Sequence, residues 1–232
     1  MLRIGTAGWA IRREHRDSFP GDGSHLARYA ARLNAVEINS SFYRPHRPAT
    51  YAKWARETPD GFSFSVKMLR TITHEARLAD ISENLQRFLG ECGALGEKLG
   101  CILIQLPPSL AYRRNDFFSR LRDAYDGAVA LEPRHANWFT QEVDAVLKRH
   151  RIARVAADPA IGPFAPGGFE GFQYWRLHGS PKIYYSDYAG DALRALAKRL
   201  SPDAWVIFDN TALGHAAGNA FTLTKIARSA GR

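Results

Sequence analysis

Short runs with strand character alternate along the chain with longer stretches of helical spacing. Eight strand-like segments begin near Leu2, Ala35, Phe62, Cys101, Val129, Ala153, Gln173 and Ala204. Within them apolar and polar residues trade places one by one, so each strand presents two chemically different faces. In VEINSSFYR (36–44), Val36 and Ile38 oppose Glu37 and Asn39. In FSFSVKM (62–68), Phe62, Phe64 and Val66 oppose Ser63, Ser65 and Lys67. VALEPR sets Val129 and Leu131 against Glu132 and Arg134, and YWRLHG sets Trp175 and Leu177 against Arg176 and His178. CILIQLPP contributes Gln105, and RVAADP ends on Asp158. In VIFDNT, alternation leaves open whether Asp209 or Asn210 turns inward.

Most of the gaps are helical. SHLARYAARL (24–33) opens on a Ser N-cap and places Leu26, Tyr29, Ala30 and Leu33 on one face. Further helices are expected at 50–57, 115–125, 140–150 and 190–200, with a last one inside 217–230. The stretch 80–100 reads as one long helix stopped by Gly100. The segment PAIGPFAPGGFEGF (159–172) is too rich in Gly and Pro for a helix.

Eight strands with mostly helical connections predict an α/β fold, a single (β/α)8 TIM-type barrel over 1–232 with a loop in place of the sixth helix. A doubly wound open sheet is the rival, but no G-x-G-x-x-G follows any strand, so a nucleotide cofactor has no motif here. In such a barrel the polar residues late in the strands face the C-terminal mouth, where barrel enzymes place their chemistry.

Composition changes this picture little. Hydrophobic residues make up 45% and charged residues 24%, an ordinary globular balance. No apolar run reaches membrane-spanning length and MLRIGTAGWA is not a secretory leader, so a cytoplasmic protein without a membrane partner is expected. Cys92 and Cys101 form no metal pattern and read as reduced, buried thiols. The net charge of +9 permits nucleic acid or anionic ligands, although the basic residues are scattered.

Seven stretches carry a resemblance: IGTAGW, VEINSSFYR, FSFSVKM followed by ITHEARL, QLPPS, LEPRHANW, YWRLHGS and FDNTALGHAAGNA occur in that order. Together they resemble the YecE-like family, a domain-of-unknown-function family of TIM-barrel proteins. The resemblance implies a barrel with a polar pocket at the strand ends, and brings no established activity. It falls on Glu37, Asn39, Phe42, Tyr43, Lys67, Thr73, His74, Gln105, Glu132, Arg134, Trp138, Arg176, His178, Gly179, Asn210 and Asn219. Two positions depart from the family's habit, with Ala7 in place of a Ser and Asp209 in place of an Asn. The loop Ile11–Gly23, with its Arg12-Arg13-Glu14-His15-Arg16 cluster, is individual to this chain.

These residues suit an enzyme doing acid–base chemistry on a small polar or anionic molecule. Glu37, Glu132 and His178 are candidates to move protons. Lys67 is a candidate clamp or, alternatively, a Schiff-base amine. Arg134 and Arg176 offer forks for a carboxylate or phosphate. Asn39, Gln105, Asn210 and Asn219 are polar ligand contacts, and Phe42, Tyr43, Trp138, Tyr184 and Tyr188 are the wall and lid, though each aromatic alone also fits ordinary packing. His74 reads as a loop anchor. A metal centre on Glu37, Glu132, Asp158 and His178 is disfavoured because interleaved cations compete for the same carboxylates. Nucleic-acid binding, with SPKIYYSDY (180–188) as a stacking loop, or as a metal-dependent endonuclease-like barrel, is a further alternative. A non-catalytic scaffold, in which the charged cluster only fixes strand register, is the last.

Overall fold

The computed structural model describes residues 1–79 and 81–230. In chain order the strands are β1 (Arg3–Thr6), β2 (Ala35–Ile38), β3 (Ser63–Lys67), β4 (Leu99–Gln105), β5 (Val129–Glu132), β6 (Ile152–Arg154), β7 (Ala156–Asp158), β8 (Gly167–Gly168), β9 (Tyr174–Leu177) and β10 (Trp205–Phe208). The helices are α1 (His25–Ala30), α2 (Pro48–Arg56), α3 (Ser82–Cys92), α4 (Phe117–Ala124), α5 (Gln141–Arg149), α6 (Gly190–Ala197) and α7 (His215–Ala230). The chain is thus α/β, and its strands lie in two sheets, one ordered β1-β10-β9-β7 and one ordered β2-β3-β4-β5-β6-β8. All pairings are parallel except that of β8 with β6, which is antiparallel.

The two sheets meet at two places. On one side β6 and β7 are consecutive parts of one extended segment: β6 pairs with β5, and β7 pairs with β9 of the other sheet. Val155 sits between them and donates its N–H to the Leu131 carbonyl at 2.9 Å. On the other side β1 runs beside β2, and side chains supply the hydrogen bonds a ladder would make. Asn34 accepts from Ile4 N at 3.0 Å and donates to the Leu2 carbonyl at 2.8 Å. The buried Tyr29 hydroxyl accepts from Thr6 N at 2.9 Å and donates to the Ala35 carbonyl at 3.0 Å. A single bridge, Ala7 to Glu37, completes this seam, with Gly8 N donating to the Glu37 carbonyl at 2.8 Å.

Strand alternation sorts the interior into two apolar clusters. Val36, Phe64, Ile102, Leu131, Trp175 and Phe208 pack against the helices. Ala35, Cys101, Leu103, Ala130, Val155, Tyr174, Trp205 and Ile207 form a smaller cluster on the opposite strand faces. In that cluster Trp205 stacks on Tyr174 with ring centroids 5.9 Å apart. Both cysteines are buried and unbridged, and burial pushes the Cys92 thiol up to about 12.

The expected helix over 80–100 is shorter than its pattern; its first residue, Asp80, lies outside the described residues. α3 stops at Cys92, a 3-10 segment covers Gly93–Lys98, and Gly96 leaves helical geometry at φ +60°. Gly100 belongs to β4 and does not cap a helix. A Cβ there would lie 2.6 Å from the Trp205 indole, so this glycine makes room for a ring from another strand. The segment 159–172 contains no helix, as its composition predicts, but it also holds β8, which alternation did not indicate. The individual loop after β1 carries a 3-10 turn, Arg13–Ser18. Arg12 donates to the Thr211 and Ala212 carbonyls, and the His15 ring lies 3.1 Å from the Gly214 carbonyl, tying this loop to the one after β10.

The β1–β2 seam can be tested directly. A Cβ at Gly5 would lie 2.0 Å from the Ala35 carbonyl oxygen, and backbone cannot swing aside as a side chain can. Gly5→Ala is expected to lower unfolding free energy in urea by about 3 kcal/mol. Tyr29→Phe strands the Thr6 N–H and the Ala35 carbonyl, and should cost about 1–3 kcal/mol in the same measurement.

Candidate functional site

Each strand that ends in a polar residue does so at its C-terminal end, and the parallel register brings those ends to one level. Gln105 pairs in register with Glu132, and Lys67 with Leu103. On the other sheet Arg176 is level with Ile207. The polar face therefore continues directly from the smaller apolar cluster, with Glu37 two residues beyond Ala35, Glu132 beyond Ala130, Arg176 beyond Tyr174 and Asp209 beyond Ile207.

Arg176 stands at the centre, 1% exposed. Its Nε donates to Glu37 Oε2 at 2.9 Å and its Nη2 to Glu37 Oε1 at 2.7 Å, a two-pronged pair. Nη1 donates to Glu132 Oε2 at 3.2 Å, and Nη2 lies 3.0 Å from Asp209 Oδ2. Glu37 and Glu132 are fully buried. The Tyr174 hydroxyl lies 3.2 Å from Glu37 Oε2 and 2.8 Å from Ser65 Oγ, and Gln105 donates to Glu132 Oε1 at 2.9 Å.

His178 bridges two of these acids, with Nε2 3.0 Å from Glu132 Oε1 and Nδ1 3.0 Å from Asp209 Oδ2. A carboxylate only accepts, and a neutral imidazole has one N–H, so satisfying both contacts requires the imidazolium. The electrostatics agree. Burial alone would lower the His178 pKa, but Glu132, and then hydrogen bonds from the ring to Asp209 and Glu132, raise it. Burial would raise Glu132, yet His178 and Arg176 hold its carboxyl well below the usual range. Asp209 is likewise held low, by Arg176 and His178 against its burial. Burial would lower Arg176, and Asp209, Glu37 and Glu132 instead keep its guanidinium firmly charged.

Lys67 is different. It is 5% exposed, and its Nζ rests 4.1 Å from the centroid of the Phe42 ring. Among the described residues it makes no ion pair and no side-chain hydrogen bond. Burial and the Arg176 charge push its pKa down to about 8, although Glu37, Glu132 and Asp209 pull the other way. Arg134, part-exposed, places Nε 3.3 Å from Glu132 Oε1.

The remaining candidates divide. Tyr184 lies over the cluster, its ring centroid 6.1 Å from that of His178. Tyr188 donates to Asp158 Oδ2 at 2.7 Å and accepts from Gly179 N, so both it and Asp158 stand outside the Arg176 cluster. Asp209, not Asn210, turns toward Arg176. Asn210 instead donates to the Ser186 carbonyl and to Asn219, whose amide donates to the Tyr188 carbonyl; the pair clamps the 179–188 loop. Asn39 Oδ1 is buried without a hydrogen-bond partner among the described residues. Tyr43 is exposed and meets Phe42 edge-on. Trp138 is core: its indole donates to the Leu110 carbonyl and it packs on Tyr112 and Phe118. It was expected in the aromatic wall of a ligand pocket, but the turn after β5 packs its ring against Tyr112 and Phe118 instead.

Arg176 was expected to hold a ligand's charge, and its fork faces Glu37 instead. Two residues of the network were missed, Ser65 and Tyr174, although alternation places them on the faces of Lys67 and Arg176. His74 was read as an anchor. Its Nδ1 lies 2.9 Å from Thr73 Oγ1, which also lies 3.2 Å from the Leu69 carbonyl, and Nε2 has no hydrogen-bond partner among the described residues. Burial and the Lys67 charge lower the His74 pKa. Its ring packs edge-on to Phe42 at 4.9 Å, and no feature of ITHEARL signals that proximity. Among the described residues no three of His, Cys, Asp and Glu are disposed to hold a metal ion, and no helix is long and apolar enough to cross a membrane.

Fold and site together define an α/β protein of parallel sheets with a buried ion network at the strand ends. The chain belongs to the family described as Protein of unknown function DUF72, whose model matches residues 3–232. It is 29% identical to UPF0759 protein YecE of Escherichia coli K12 over 165 residues, 68% of this chain and 59% of that protein. It is 27% identical to UPF0759 protein YunF of Bacillus subtilis 168 over 179 residues, 70% of this chain and 62% of that protein. The chain thus spans about three fifths of the length of these curated relatives. Among solved structures, a DUF72 family protein of Enterococcus faecalis V583 superposes with a TM-score of 0.82 at 21% identity, covering 98% of this chain and 96% of that one. A DUF72 family protein of Thermotoga maritima MSB8 superposes with a TM-score of 0.79 at 26% identity, covering 98% and 99%.

Removing Arg176 leaves three carboxylates facing one another. Arg176→Met is expected to lower stability at pH 7 by about 3–5 kcal/mol. The depressed Glu132 and Asp209 pKa values give wild type stability that is present above about pH 4 and lost as pH falls further. The gap between variant and wild type, measured by urea unfolding, should therefore narrow in acid.

Proposed function

We propose that this chain is an enzyme that binds a small anionic molecule at the C-terminal strand ends and acts on it by acid–base chemistry. The scaffold would be one barrel domain formed by both sheets. The shared β6–β7 segment and the Tyr29 and Asn34 hydrogen bonds across the β1–β2 seam support that closure.

One observation carries the reading. The three carboxylates Glu37, Glu132 and Asp209 are balanced by Arg176, His178 and Arg134, which leaves Lys67, among the described residues, as a cation without a counter-ion. Burying an unpaired ammonium is costly, and a ligand's negative charge would offset that cost. Arg134, at the edge of the cluster, would be the second cationic contact. Glu37 and Glu132 hold the frame in this reading, while Lys67 and His74 have the free valences for proton transfer. Asn39 Oδ1 would accept a hydrogen bond from the ligand.

A second reading, single-stranded nucleic acid on the rim, is favoured by one observation. Tyr43, Ile161, Ile183, Tyr184, Tyr185 and Leu213 are exposed, and all sit on loops that follow strand ends. Lys182 Nζ lies 4.3 Å from the Tyr185 ring centroid. Stacking beside cations suits single strands, and affinity would then fall steeply with salt. Filter binding of a labelled oligonucleotide that shows no retention at about 50 mM salt removes this reading.

The anion reading is tested with Lys67→Met. With Lys67 at about 8 when folded against 10.5 unfolded, the ammonium opposes folding below pH 8. The variant should be more stable than wild type at pH 7, by up to about 3 kcal/mol, and should lack the wild type's recovery between those two pH values. Sulfate or pyruvate should raise the melting temperature of wild type and not of the variant. An equal rise in both proteins sinks the anion site.

A further inference from the structure

We propose that Lys67 is a covalent catalyst, forming an imine with the carbonyl carbon of an anionic aldehyde, ketone or 2-oxo acid. This rests on the anion reading above and names the substrate's second functional group.

An imine-forming amine must be neutral, unengaged and reachable, and must sit where the product cation is stabilised. Lys67 is unengaged among the described residues and slightly exposed, and a pKa of about 8 gives it a far larger neutral fraction at pH 7.5 than an ordinary lysine has. Its amine makes no hydrogen bond or ion pair among the described residues, although three carboxylates stand nearby. It lies on the face of Phe42, within electrostatic reach of Arg176, and retains slight exposure. Desolvation together with a neighbouring cation is the environment that frees a lysine lone pair at neutral pH, and the pKa of about 8 accords with that geometry. Glu37, Glu132 and Asp209 all favour positive charge at this nitrogen, so they would also favour an iminium.

The step balances without any redox partner. The Nζ lone pair forms the C–N bond while the carbonyl π pair moves to oxygen, which takes one proton from nitrogen. The resulting hydroxyl takes a second proton from solvent and leaves as water as the C=N bond forms. One amine, one carbonyl and one proton give one protonated imine and one water.

The chain has seven lysines, so site-resolved trapping is decisive. Wild-type protein is incubated at pH 7.5 with pyruvate or glyoxylate and cyanoborohydride, which reduces an imine to a stable secondary amine. Peptide mass spectrometry then reads labelling at each lysine. Lys67 should be labelled at least about tenfold faster than the mean of the others, with a rate that rises through about pH 8. Lys67→Arg, which keeps the charge, should lose that label. Even labelling over all seven lysines, or a Lys67 rate no greater than theirs, overturns the proposal. Melting curves with pyruvate separate the two ideas: a pyruvate shift that depends on Lys67 without trapping leaves an anion site and sinks the imine. Loss of both sinks the anion reading as well.

Discussion

Arg176 must be neutralised where it stands, and much of the molecule is arranged around that requirement. A guanidinium at 1% exposure has surrendered its hydration, and only partners within hydrogen-bond distance can replace it. Glu37 and Glu132 come from β2 and β5 of the six-stranded sheet, while Arg176 and Asp209 come from β9 and the end of β10 in the four-stranded one. The ion network therefore bolts the two sheets together at their C-terminal ends. It does so where backbone pairing between β1 and β2 is reduced to one bridge. Hydrogen bonds from Tyr29 and Asn34 hold the lower part of that seam, and charge holds the upper part.

This arrangement separates residues whose contacts are fully used within the frame from one whose contacts are not. A scaffold explanation accounts for Arg176, whose fork is occupied, and for His178, whose two nitrogens each face a carboxylate. It does not account for Lys67. Apolar side chains of similar length would pack on Phe42 without the desolvation suffered by an ammonium that has no ion pair among the described residues. A residue kept at a cost to stability is one for which function is the natural explanation. The same contrast is why the proposed acid–base work is assigned to Lys67 and His74 and not to His178. Proton transfer needs a free lone pair or a free proton, and the central histidine has neither to spare.

Much of the scaffold was legible in the chain because β-strands carry a period of two and buried strands obey it strictly. Alternation placed Glu37, Lys67, Glu132, Arg176 and His178 on one set of faces, and the Gly- and Pro-rich stretch 159–172 announced a connection without a helix. Boundaries were less legible. Gly100 looked like a helix terminator because glycine also serves that purpose, whereas it yields space to Trp205, more than a hundred residues away.

The sequence by itself determined the order of elements, the faces of the strands and the core of the polar cluster, Glu37, Lys67, Glu132, Arg176 and His178, since these follow from local periodicity and residue type. Only the tertiary structure decided who pairs with whom. Whether Asp209 or Asn210 turns inward, whether Arg176 is free or engaged, and whether Trp138 meets a ligand or a core all depend on distances between strands and turns remote in the chain. Ion pairing and desolvation act over a few ångströms, and no pattern along one strand records what lies that close to it from another.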